Sequence, residues 1–460
     1  MSDELPTAAR VSDPGIRALY KQENRWQAWL DVEVALARAQ AELGIIPKDA
    51  AEAIARAARF DLLDRARIDE GFARTGHTIV PLVWELSRVV GEPHGGWVHW
   101  GATTQNITQT GDLLVLRQAH HIFLRLIGDA LLAAADLAER GADMPIAGRT
   151  HGQHAVPATF GYKPAVWIDE LLRHVERLKQ AAPRIFVAML GGGAGTFASL
   201  GKDGPAVQAG IGHHLGMPPM TVPSRALGDH LAENICLLGL LAATCSKIAR
   251  EIYTLMKTEF GEVEEPVPPG TVGSSTMPQK RNPKLCQDII AAAAEVRAAV
   301  PLALEAMQTE HEADRTTSLI MDAAEARASI ALGDALSRLV EVMRGLRLVP
   351  ARMRRNLDLG GGLIMAEAVM LDLGAQIGRQ HAHDVVYDAA QSAFVEGRSF
   401  AELLAADPRV TAHLDAKQIA ALLDPTAYTG LCAEMARDGA SRARATAAEI
   451  KSSQREGNRA

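Results

Sequence analysis

The chain has 460 residues, 48 of them Lys or Arg and 55 Asp or Glu, for a net charge of −7. That balance, with no long basic run, excludes a nucleic-acid-binding stripe. Hydrophobic residues make up 48%, enough for a sizeable core, and no stretch of about 18 uninterrupted apolar residues marks a membrane span. Cys236, Cys245, Cys286 and Cys432 are scattered without a CxxC pair. They read as small buried or half-buried residues in a reducing compartment. The opening MSDELPTAARVSD carries acids and no apolar run, so no secretory signal is expected and the chain is placed in the cytoplasm. No cofactor and no metal is implied, because the histidines show no ligand spacing.

Helical periodicity dominates, and the low aromatic content, 4%, fits an all-α protein. Residues 21–43 place Trp26, Leu30, Val34, Leu36 and Leu43 along one stripe, ended by Gly44. An Ala-rich helix follows at 49–58. The pattern breaks at Thr75-Gly76-His77-Thr78. His77 either caps the next helix or serves as a proton-transfer or ligand-binding group. Residues 97–110 crowd Thr103, Thr104, Gln105, Asn106 and Thr108 just before a long helix expected at 111–140. Thr103 and Thr104 suit an N-cap. The whole cluster also suits a carboxylate at a helix N-terminus. Gly148–Pro157, with Thr150-His151-Gly152-Gln153, is expected as a polar link between two helices, the second spanning 160–187.

The glycines of 191–196 follow no strand and lack the Lys-Ser/Thr ending of a phosphate loop. They are expected to mark a tight crossing between bundle helices. Long helices are expected at 229–259, 284–308 and 322–347, and shorter ones after Pro350. Together these elements give an N-terminal helical domain (1–104), a central bundle of long helices (105–350) and a C-terminal helical domain (351–460). Long helices apolar on several faces need partners, so a homo-oligomer is expected.

Between two of the long helices lies Gly270-Thr271-Val272-Gly273-Ser274-Ser275-Thr276-Met277-Pro278-Gln279-Lys280-Arg281-Asn282-Pro283. Gly and Pro keep it out of a helix. Its hydroxyls, Lys280 and Asn282 suit a loop closing over an anion, with backbone N–H groups near a developing oxyanion. GSSTMPQKRNP resembles the GSSxMPxKxNP signature of the fumarase/aspartase superfamily. The likeness runs along most of the chain. RTHGQHAVPATFGYKPAVW and GEVEEP resemble the adenylosuccinate lyase branch. VHWGATTQ and GGGAGTFASLG resemble the 3-carboxy-cis,cis-muconate cycloisomerase branch.

The resemblance implies an all-α, three-domain fold and a homotetramer whose active sites each draw segments 101–110, 148–157 and 270–283 from three subunits. It implies anti-elimination of fumarate from a small dicarboxylate. Ser274 would be the base, supported by Lys280, and His151 or His77 the general acid or its orienting partner. Thr103, Thr104, Gln105, Thr150, Gln153, Ser275, Met277 and Asn282 would hold the substrate. The chain also departs from both branches. Amides Asn106 and Gln109 replace acids of the adenylosuccinate lyase pattern, and Leu319–Asp322 replaces a run ending in Arg. Losing arginines removes natural partners of a nucleotide phosphate. Thr150-His151 retains a histidine that the cycloisomerase branch generally lacks. The reading is therefore a fumarate-releasing C–N (or related) lyase, ahead of the cycloisomerase, and further ahead of adenylosuccinate lyase or a non-catalytic structural relative.

Overall fold

The computed structural model describes residues 5–267 and 276–457. The elements run α1 (Ile16–Leu19), α2 (Gln22–Glu42), α3 (Lys48–Ala57), α4 (Arg65–Thr75), α5 (Val80–Val90) and α6 (Thr104–Arg140). Next come β1 (Pro145–Thr150), β2 (Gln153–Thr159), α7 (Tyr162–Ile185), α8 (Gly204–Leu215), α9 (Asp229–Leu255) and β3 (Val263–Glu264). Then follow α10 (Lys284–Glu305), α11 (Arg315–Gly345), β4 (Arg347–Leu348), α12 (Pro350–Leu357) and α13 (Ala366–Ile377). The chain closes with α14 (Arg379–Glu396), α15 (Phe400–Ala406), α16 (Pro408–Thr411), α17 (Ala416–Leu422) and α18 (Cys432–Gly457). Helix accounts for 69% and strand for 4%, so the fold is all-α and the little strand there is needs its own explanation.

Two units are distinguished. One comprises Met1–Arg125, His174–Cys245 and Ala291–Ser337; the other comprises Leu126–Arg173, Ser246–Ile290 and Arg338–Ala460. The first unit is built on Trp26, Leu30 and Leu36 of α2, which pack with Leu113 and Leu116 of α6 and Val207 and Ile211 of α8. Trp26 and Leu30, Leu113 and Leu116, and Val207 and Ile211 stand three or four residues apart, so each pair shares a helix face, where burial stabilises each side chain by about 1.5–3 kcal/mol. Leu43 falls outside that stripe and is 47% exposed, because α2 ends one residue earlier. In the second unit Val369, Leu373, Val385, Val386, Phe400 and Leu404 form a core among α13, α14 and α15.

Residues 148–157 are not a loop between helices. They form most of an antiparallel hairpin, β1 with β2, in which Thr150 faces Gln153. The turn is His151-Gly152, with φ of 51° and 77°. Two central residues with positive φ make the tight hairpin turn whose twist matches its strands. Ile146, Val156 and Thr159 favour strand, and a register shift between Ala147 and Arg149 accommodates Gly148. A Cβ on Gly148 would lie 2.5 Å from the Val156 carbonyl oxygen. β3 pairs with β4, Val263 opposite Leu348.

Three further points concern the helix starts, the glycine loop and α9. α6 begins at Thr104 and α11 at Arg315, each seven residues before the apolar periodicity becomes legible. The glycines of 191–196 do not mark a helix crossing. A Cβ on Gly191 or Gly195 would meet the Pro223 carbonyl oxygen at 2.6 or 2.8 Å, so this loop lies backbone to backbone against the 223–224 stretch. Finally, α9 is long and apolar enough by composition to cross a bilayer, but 61% of its most apolar window is buried inside the protein, as in a core helix. The four cysteines are unpaired. Burial pushes the Cys245 thiol up to about 12 and raises those of Cys286 and Cys236 as well.

Candidate active site

The first unit contains a cavity of about 740 Å³. Helices α2, α4, α6 and α11 line it with residues at helical spacing: Gln22, Arg25, Trp26 and Trp29 of α2, Arg65, Asp69 and Phe72 of α4, Thr104, Gln105, Thr108, Gln109 and Asp112 of α6, and Arg315, Ser318, Asp322 and Glu325 of α11. The α4–α5 link adds His77 and Thr78, and the loop before α9 adds Arg225. Three of the residues singled out by the sequence, His77, Thr104 and Gln105, therefore share one cavity.

His77 does cap a helix. Its Nδ1 accepts the backbone N–H groups of Ile79 and Val80 at 3.5 and 3.4 Å, at the start of α5. That same bond keeps the proton on Nε2, so capping and proton donation are compatible. Thr103 precedes α6, and its N–H donates to Asn106 Oδ1 at 3.1 Å, one half of a capping box. The same Oδ1 accepts the Gly192 N–H at 3.1 Å, tying the glycine loop to the start of α6.

Gln105 is fully engaged. Its Oε1 accepts from Arg225 Nε at 3.1 Å, and its Nε2 donates to the Arg225 carbonyl and to Gln109 Oε1, each at 2.9 Å. Arg225 also donates to the Gly193 carbonyl at 2.6 Å, and Arg315 donates to Thr78 Oγ1 at 2.8 Å. Neither guanidinium has a carboxylate at ion-pair distance among the described residues, although Arg315 acts on Asp322 from further off. Both are available to an anion, and neither was evident from sequence pattern, because Arg225 sits on an aperiodic loop and Arg315 on an unanticipated helical turn.

One end of the cavity is acidic. Arg25 Nε and Nη2 pair with Asp112 Oδ1 and Oδ2 at 3.0 and 2.8 Å, Trp29 Nε1 donates to Asp112 Oδ1 at 3.0 Å, and Arg25 Nη2 lies 3.7 Å from Asp322. Burial opposes the Arg25 charge, but Asp112, Asp322 and Glu325 outweigh it and hold the guanidinium above its usual range. Burial, reinforced by Asp112, pushes the Asp322 carboxyl up to about 6, although its side chain is 48% exposed. Glu325 is 6% exposed, and burial together with Asp112 and Asp322 raises its carboxyl well above the usual carboxylate range.

The other candidates lie in the second unit. The hairpin carries Thr150, His151 and Gln153 at an exposed tip. Its base is fixed by Arg149, which forms a bidentate pair with Glu262 at 3.0 and 2.7 Å. The same guanidinium lies 4.9 Å from the centre of the Phe260 ring. Glu262 is fully buried and also accepts from Asn356 Nδ2 at 2.8 Å. Ser274 and Ser275 lie outside the described residues. Beyond them Met277 and Lys280 are exposed and Asn282 is half-buried. The segment that carries them returns to α10, where the Leu285 and Cys286 N–H groups donate to Glu265 at 3.1 and 3.2 Å. Glu265 thus satisfies two orphan donors of the helix.

An all-α scaffold with a polar cavity at the start of one long helix and a hairpin-borne Thr-His pair defines an enzyme class that the comparisons specify. The family model described as Lyase matches residues 8–298, and that of the adenylosuccinate lyase C-terminus matches 362–438. The chain is 38% identical to an N-acetyl-S-(2-succino)cysteine lyase of Enterococcus italicus, covering 91% of this chain and 92% of that one. It is also 38% identical to a 3-carboxy-cis,cis-muconate cycloisomerase of Pseudomonas aeruginosa, covering 90% and 91%. The solved fumarate lyase from Mesorhizobium sp. BNC1 superposes with a TM-score of 0.88 at 36% identity, covering 93% and 98%. The chain belongs to the lyase family of the fumarase/aspartase superfamily.

Proposed function

We propose that the chain catalyses anti β-elimination from a succinyl-substituted amine or thiol, with release of fumarate. The observation that carries this reading is the shared cavity. His77, Thr104 and Gln105 stand there with Arg225 and Arg315, two guanidinium groups with no carboxylate at ion-pair distance among the described residues, so the cavity offers cationic anchors for a dicarboxylate beside a proton donor. The resemblance to the N-acetyl-S-(2-succino)cysteine lyase supports the fumarate product.

In the proposed step Ser274, as alkoxide, takes the proton from the carbon beside the carboxylate. The C–H electron pair becomes the new C=C bond, and the C–N or C–S bond breaks with its electrons on the leaving atom. His151 or His77 then protonates that atom. The hard part is the second negative charge building on the carboxylate, so the site must favour it over the ground state. Lys280, Asn282 and the N–H groups of the Ser274–Ser275 segment are the proposed donors, with Thr103, Thr104, Thr150, Gln153 and Met277 shaping the rest. The exposed hairpin tip fits an assembly, proposed as a homotetramer, in which three subunits complete each site. The three-part division at residues 104 and 350 is kept with this reading.

A second reading, the cycloisomerase, is favoured by the relative from Pseudomonas aeruginosa. The test is the reverse reaction: fumarate with ammonia, amino acids, diamines and thiols, read by mass spectrometry. An adduct absent with Ser274→Ala is expected. Absence of any adduct, with turnover of 3-carboxymuconate, would establish the cycloisomerase instead.

A further inference from the structure

The cavity in the first unit is electrically polarised along its length, and α11 draws the gradient. Arg315, Ser318, Asp322 and Glu325 line one wall at positions i, i+3, i+7 and i+10. Seven residues of helix separate Arg315 from Asp322 by about 10 Å. α6 shows the same progression, from Thr104 and Gln105 to Asp112 two turns further on. One end therefore presents Arg225 and Arg315, and the other presents Asp112, Asp322 and Glu325 beside the guanidinium of Arg25; Arg315 still bears on Asp322 from its own end, and Arg65, also in the lining, is taken up by Glu23 and Asp69.

That guanidinium is already matched by Asp112 in a bidentate pair at 3.0 and 2.8 Å. Glu325 is left over. It is 6% exposed and lines the cavity. It forms no hydrogen bond or ion pair among the described residues, and the neighbouring Tyr20 hydroxyl donates to Ser329 Oγ at 2.8 Å instead. Such a carboxyl is costly to ionise while it stands alone, and a cation placed beside it draws it into its charged form. Among the described residues no three acids, histidines or cysteines converge as metal ligands do.

Resting on the lyase reading, we infer that the acidic end of the cavity receives a protonated amine carried by the leaving group, with Glu325 and Asp322 as its acceptors. The substrate class is then a succinyl adduct of a diamine or of an amino acid whose ammonium is free. An acylated nitrogen brings no charge and leaves Glu325 unmatched. This sets the chain apart from the Enterococcus italicus relative, an enzyme named for a substrate with an N-acetyl group.

Matched pairs of nucleophiles test it. Fumarate is supplied with cysteine or N-acetylcysteine, and with ethylenediamine or N-acetylethylenediamine, and the rate of adduct formation is compared for wild type, Glu325→Gln and Asp322→Asn. In wild type the free-ammonium member of at least one pair is expected to be used about tenfold better in kcat/KM, a typical contribution of one charge-assisted contact. In both variants that ratio falls severalfold. Ser274-dependent adducts with a ratio of one or below, or a ratio that neither variant moves, overturn the inference and leave the lyase standing. No Ser274-dependent adduct from any of these four nucleophiles, with one from ammonia or another amine, overturns the inference alone; none from the whole panel overturns both.

Discussion

Asp322 shows how a single side chain decides what the cavity attracts. The groups facing it are Arg25, Asp112, Arg315 and Glu325, with Tyr20 behind them. Its carboxyl is pushed up to about 6 by burial and then by Asp112. Below that pH it is neutral, and Arg25 is balanced by Asp112. Above it, the floor gains a negative charge. Affinity for a cationic ligand should therefore strengthen as pH rises from about 5 to about 7, one unit either side of that value, while an acetylated analogue shows no such step. Titrating S-(2-succino)cysteine and its N-acetyl form into the inactive Ser274→Ala protein checks this, and Asp322→Asn should flatten the profile. Gln105 makes a related point about residues taken in isolation. Its place in a polar cluster suggests a substrate ligand, yet both ends of its amide hold Arg225. The guanidinium it positions is invisible to sequence pattern, because a loop arginine has no periodicity to betray it.

At the scale of elements the hairpin separates chemistry from support. His151 sits in left-handed backbone, φ 51°, which Asn tolerates well. His151→Asn should therefore keep the turn and remove only the imidazole, and kcat should drop about a hundredfold or more if it serves as acid. Arg149→Met acts differently. It leaves the fully buried Glu262 without its partner, which should cost about 3–5 kcal/mol of stability. Denaturant unfolding alongside turnover distinguishes the two effects, and equal stability losses would refute the assignment. The strands themselves are hard to foresee. Thr-His-Gly-Gln looks like polar punctuation between helices, and only the cross-strand pairing of Thr150 with Gln153 reveals a two-residue turn. The helices are more legible, since Trp26 and Leu30, and Trp29 and Leu36, repeat at helical spacing and are indeed buried. Their starts are not, because Thr104 and Arg315 open helices with turns that face the cavity and so carry no apolar signal.

For the whole molecule, the candidates divide between two units, with His77 and Thr104 in one and Thr150 and His151 in the other. If each site is completed by several subunits, two inactive proteins should rescue each other. Mixing Ser274→Ala with His151→Asn after reversible dissociation should restore part of the activity, because some mixed assemblies hold a site with neither lesion. Failure to recover any activity, with mixed oligomers verified by mass, would place all the machinery in one chain. The superfamily itself is legible from one loop, because a long signature of fixed letters needs no geometry to be seen. The leaving-group specificity is not, since it resides in charges brought together from three helices. The sheltered sulfurs have a practical corollary. With Cys245 and Cys286 buried and the thiols of Cys236, Cys245 and Cys286 held in their protonated form, the folded chain should react only slowly with a chromogenic disulfide. Colour that develops during turnover would then come from the product, so one spectrophotometric trace separates cleavage at sulfur from cleavage at nitrogen.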